Sequence, residues 1–99
     1  MAEERRLDRE AALELLRNQH TFPGAYVFRV VVRPDDVTRI VSAIAAAVGG
    51  VGELREVKEK NSRAGNYQSL RIHTTMNDPE AVLDVYDVIG RLDGVLMTL

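Results

Sequence analysis

Cysteine is absent from the 99-residue chain. That absence removes a disulfide framework, a thiol nucleophile and any thiolate metal site. A basic excess is also missing: 13 Lys and Arg stand against 15 Asp and Glu, a formal net charge of -2. No general field therefore exists to recruit a phosphate backbone, which argues against nucleic acid as a partner. No stretch approaches the roughly 20 apolar residues of a membrane span, and the opening Met1-Ala2-Glu3-Glu4-Arg5-Arg6 lacks the apolar core of a signal peptide. A soluble bacterial protein of the cytoplasm, without membrane contact, is the expectation.

Catalytic patterns are equally scarce. His20 and His73 have no second ligand at the spacing a metal needs. Ser42 and Ser62 lack a nucleophile elbow. The carboxylate pairs Asp35-Asp36 and Asp84/Asp87 fit a helix start and a solvated helix side. Gly49-Gly50-Val51-Gly52 follows a helix instead of leading a strand into one, so it reads as a stop signal and not as a phosphate cradle. No catalytic residue, metal or cofactor is assigned, and the chain reads as a non-enzyme.

What is present is an ordinary globular composition, 45% hydrophobic and 28% charged, enough for one core. Leu7, Ala11 and Leu15, with Ala12 and Leu16, recur at helical spacing over residues 2–18. Phe22-Pro23-Gly24 ends that helix, and a domain proper is expected over residues 20–99, after an N-terminal helix and linker over 1–19. Tyr26-Val27-Phe28-Arg29-Val30-Val31-Val32 is dense in β-branched and aromatic residues, as a buried strand requires. After Pro34, with Asp35 placed to cap, the positions Val37, Ile40, Val41, Ile44, Ala45 and Val48 follow a helical template. Gly49 suits the left-handed position beyond that helix.

Glu53 to Ser62 is mostly charged, and its apolar Leu54 and Val57 fit no strict alternation, so an edge strand is expected. Asn61 to Asn66 reads as a hairpin turn. Tyr67 to Met76 then alternates, with Leu70, Ile72, Thr74 and Met76 on one face and Ser69, Arg71, His73 and Thr75 on the other. Asn77-Asp78-Pro79-Glu80 is a capped helix start, and Val82, Val85, Tyr86 and Ile89 form its buried stripe. Val95 to Leu99 fits a last strand.

This order predicts an α+β ferredoxin-like βαββαβ sandwich: a four-stranded antiparallel sheet of order 4-1-3-2, two helices on one face, and the extra N-terminal helix. In that topology Arg33-Pro34-Asp35-Asp36, Asn61 to Tyr67 and Asp93-Gly94 share one end of the sheet.

Phe22-Pro23, the first strand, the hairpin Asn61-Ser62-Arg63-Ala64-Gly65-Asn66-Tyr67-Gln68-Ser69-Leu70, the helix tyrosine Tyr86 and the terminal Val95-Leu96-Met97-Thr98-Leu99 together resemble the YbeD-like family of small bacterial proteins of unknown function. The resemblance covers about residues 20–99. It implies a fold similar to the ACT regulatory domains that bind small molecules, and it carries an association with lipoate metabolism. Arg63-Ala64 departs from the family's hairpin pattern, and the N-terminal helix lies outside the resemblance.

Two surfaces are candidates. The sheet end offers Arg33, Ser62, Arg63, Asn66 and Tyr67 for a small anionic metabolite or a protein partner. The open sheet face offers Val27, Arg29, Val31, Ser69, Arg71 and His73. It suits a homo-oligomer, the protein's own N-terminal helix laid across it, or single-stranded RNA, although the aromatic pair that stacks bases is missing. A regulatory or adaptor domain is the leading reading, with a homodimer as one form of partner.

Overall fold

A computed structural model describes the backbone of residues 2–99 and the side chains of residues 8–99. The expected place of Leu7 on the apolar face of the first helix lies outside the described side chains. The elements are α1 (Ala2–Gln19), β1 (Gly24–Val32), α2 (Val37–Val48), β2 (Gly52–Asn61), β3 (Gln68–Met76), α3 (Pro79–Arg91) and β4 (Val95–Thr98). The sheet is antiparallel with order β2-β3-β1-β4, the ferredoxin-like arrangement.

Alternation decides which way each central strand faces. Phe28, Val30 and Val32 of β1 and Leu70, Ile72 and Met76 of β3 are buried on one side. Against them pack Ile40, Ile44 and Val48 of α2 and Ala81, Val82, Val85 and Ile89 of α3. Each large side chain buried in this way contributes about 1.5–3 kcal/mol. Thr74, buried in the same layer, donates its hydroxyl to the Tyr26 carbonyl at 2.8 Å, so its polar atom is not stranded.

The charged strand β2 pairs with β3 only, at the sheet edge. Its irregular apolar spacing has a cause. The register shifts between Leu54 and Glu56, so Leu54 opposes Thr74 and Val57 opposes Ile72. One extra residue in the bulge puts two side chains three positions apart on the same face.

Four local expectations are corrected. Asp35 does not cap α2: residues Pro34–Asp36 form a turn of 3-10 helix, and Asp36 stands at the α2 start without a side-chain cap bond. Gly49 is right-handed at φ -58, because the chain continues into a further turn closed by Val51 N–H on the Val48 carbonyl; the left-handed glycines are Gly65 and Gly94. Leu15, expected on the apolar face of α1, is exposed, and among the described residues of α1 Leu16 packs on the core. Finally, α1 does not cross the open face. It lies against α3, where Arg9 meets Asp84 at 3.5 Å and Arg17 meets Glu80 at 2.8 Å.

Candidate functional site

The α1–α3 contact places every helix on the same side of the sheet and leaves the other face bare. Strand register lays out that face in rows. Val27 opposes His73, which opposes Glu56; Arg29 opposes Arg71, which opposes Lys58; Val31 opposes Ser69, which opposes Lys60. On the outer side Met97 of β4 opposes Val31, and Leu99 donates its N–H to the Arg29 carbonyl at 2.8 Å. The face is therefore polarised along the strands. Arg29, Arg71, Lys58 and Lys60 occupy the half toward the hairpin, and Glu56, with Glu53 opposite Thr75, occupies the other.

A concavity of about 450 Å³ lies over the basic half, lined by Arg29, Lys58, Lys60, Ser69, Arg71 and Leu99 among others. In the next row His73 holds a buried Nε2 that has no hydrogen-bond partner among the described residues. Lys58 and Lys60 did not stand out in the sequence, where β2 looked like a blunted edge. Pairing outward from Asn61 opposite Gln68 is the signal that places them beside Arg71 and Ser69.

At the hairpin end of the sheet, Val32 opposes Gln68 and Gln68 opposes Asn61, so Arg33, Asn61 and Tyr67 all adjoin that end. The loop after β1 and the turn before β4 are in direct contact. Arg33 donates its N–H to the Gly94 carbonyl at 3.4 Å, while Arg39 donates to the Asp93 carbonyl at 2.6 Å and meets Asp36 at 3.2 Å. Arg39, which the sequence did not single out, is the clip between them.

The hairpin closes on itself. Gly65 donates to the Ser62 carbonyl at 3.0 Å with φ 74, and the Ser62 hydroxyl accepts the Tyr67 N–H at 3.2 Å. Ser62 thus has a structural task. Arg63, Asn66 and Tyr67 are exposed, and no hydrogen bond or ion pair among the described residues joins them to Arg33. The fold brings the five candidates to one end of the sheet, where Ser62 and Tyr67 bond each other within the hairpin and no described hydrogen bond or ion pair ties Arg33 to the rest.

A third feature lies where β1 runs past the end of β4. Tyr26 and Tyr86 share a hydroxyl–hydroxyl hydrogen bond at 2.8 Å, within a cluster that includes His20 and Phe28. Burial, reinforced by that bond, pushes the Tyr86 phenol well above its ordinary pKa.

A family model described as "Protein of unknown function (DUF493)" matches residues 17–99. The chain belongs to this family. The DUF493 assignment agrees with the YbeD-like features of the hairpin and strands. No curated protein matches the chain. The solution structure of the C-terminal domain of the MgtC protein from Mycobacterium tuberculosis is similar in fold, with a TM-score of 0.69 at 18% identity over 82% of this chain and 88% of that one. Among the described residues of this DUF493 protein, no group of three or more His, Cys, Asp or Glu is gathered as for a metal. No described helix is long and apolar enough to cross a membrane.

Proposed function

We propose that this DUF493 chain is a non-catalytic regulatory or adaptor module that binds a small metabolite or a partner protein in ACT-like fashion, with the open sheet face and the adjoining hairpin end as its recognition surface. One observation carries the reading: the helices occupy one side of the sheet, and the other side bears cations in register, without ion pairs among the described residues, around a concavity of about 450 Å³, within the range of small-ligand sites. The fold supplies a rigid sheet on which those side chains are positioned.

A homo-oligomer is the second reading, favoured by the exposed Leu96, Met97 and Leu99 along the outer strand. RNA binding is the weaker reading of the same face, because Tyr26 and Phe28 of β1 turn toward the helices and β3 carries no Phe, Tyr or Trp.

Amide-shift mapping of the full chain against a library of anionic and neutral metabolites tests the proposal, with mass measured in the same samples. Saturable shifts on β1, β3 and the hairpin are expected. Turnover of a compound, or shifts confined to the helix layer, overturns the reading.

A further inference from the structure

We infer that the row Lys58–Arg71–Arg29 is a binding site for a small, multiply charged phosphate compound. The inference rests on the reading of the open face as the recognition surface and names its ligand class.

The first argument is electrostatic. Register sets three cations directly opposite one another on adjacent strands. Strands lie about 4.8 Å apart, so the three α-carbons span roughly 10 Å. Like charges placed opposite each other destabilise a sheet. Among the described residues none of the three meets a carboxylate in an ion pair; those pairs are made by Arg9, Arg17, Arg39 and Arg55. The repulsion is relieved when an anion with at least two charges lies along the row.

The second argument is the shape and chemistry around the row. Ser69 and Lys60 in the adjacent row add a hydroxyl and a fourth cation to the same concavity. His73, two residues along the face from Arg71, keeps its Nε2 buried and lies outside the lining of the concavity, so the site ends at the Arg71 row. Glu59 also lines the concavity, but it opposes the buried Leu70 and so belongs to the other face of β2. Glu53 and Glu56 sit at the far end, where Glu53 is held by Arg55 at 3.1 Å. They bound the basic strip and prevent it from continuing as a track for a long polyanion.

Phosphate fits this set better than carboxylate. Each phosphate group brings up to about two charges and three acceptor oxygens, which two guanidiniums can take in pairs while a lysine serves as a point charge. A single strand is held chiefly by bases stacked on aromatic rings, and the row positions on β1, β2 and β3 carry no Phe, Tyr or Trp.

The test uses the full chain, inorganic diphosphate as the probe, and amide-shift mapping with calorimetry. Citrate is the carboxylate comparison and a single-stranded oligonucleotide the polymer comparison. Saturable shifts centred on Arg29, Lys58, Ser69 and Arg71 are expected, with affinity falling about tenfold or more in Arg71→Gln. The free Arg71→Gln protein should melt at or above the parent temperature, because one member of the repulsive row is gone; this separates lost binding from lost folding.

Shifts that gather instead at Arg33, Arg63 and Asn66 overturn the row as the site while leaving the module reading intact. Citrate matching diphosphate overturns the phosphate assignment, and an oligonucleotide outcompeting it at equal phosphate concentration overturns the small ligand in favour of nucleic acid. Unaltered affinity in Arg71→Gln, or no shift at all with diphosphate, overturns the inference itself.

Discussion

Tyr86 shows how one side chain serves both packing and polarity. Its ring meets Phe28 edge-on at 5.0 Å between centroids, while its hydroxyl bonds that of Tyr26 at 2.8 Å. The sequence placed Tyr26 in a buried strand and Tyr86 in the buried stripe of a helix, and an amphipathic aromatic at such a position buries its ring while its hydroxyl finds a partner. Their mutual bond was not legible, because it joins residues 60 positions apart. Replacing Tyr86 by Phe keeps the ring and removes the bond, at a cost of about 1 kcal/mol. The cost depends on pH, with a definite sign. Burial raises the folded-state pKa above the unfolded value near 10, so the stabilisation is complete below about pH 10 and is lost as pH rises through the folded value. Urea midpoints for parent and Tyr86→Phe should therefore differ at pH 8 and converge above about pH 10. A constant difference across that range would mean that the fold does not hold the phenol neutral.

At the scale of elements, glycine conformation separates two substitutions that look alike in sequence. Gly94 adopts φ +92, and a Cβ there would fall 2.5 Å from the Asp36 carboxylate in the clip formed with Arg39. Gly94→Ala should lose about 1–3 kcal/mol. Gly90, inside α3, has nothing within 4 Å of the same position, so Gly90→Ala should gain about 0.5–1 kcal/mol from helix propensity. Chemical denaturation of both variants checks the pair, and equal effects would contradict it. Other features of these elements were readable directly. The alternation in β3 put Leu70, Ile72, Thr74 and Met76 in the core, and Asp78 accepts the Ala81 N–H at 2.7 Å as the Asp-Pro pair implied. In β2 the bulge disguised the alternation, and with it the pairing of Lys58 with Arg71. Bulges depend on the partner strand, so a single-strand pattern does not reveal them.

At the scale of the whole molecule, the half of the open face built by β1 and β3 was legible from alternation, whereas its freedom from α1 was not. Helical periodicity shows that a helix has an apolar side but not which neighbour that side meets. Among the described residues, α1 is attached by Leu16 at the core margin and by two exposed ion pairs to α3, which are worth about 0–1 kcal/mol each. His20 in the linker stacks on Tyr26 at 4.9 Å between ring centroids. Among the described residues the buried core is made by β1, β3, α2 and α3. We therefore place the working boundary just before Leu16, so that the family-matching segment beginning at residue 17 keeps its packing residue. A chain lacking residues 1–15 should fold with unchanged β1 and β3 amide shifts and melt lower by about 4–8 °C for each kcal/mol lost. In the full chain, the amides of the first α1 turns should exchange much faster than those of the two central strands. Loss of β1 and β3 protection on truncation would place α1 within the cooperative core instead, and the bare sheet face would then depend on the helix that packs farthest from it.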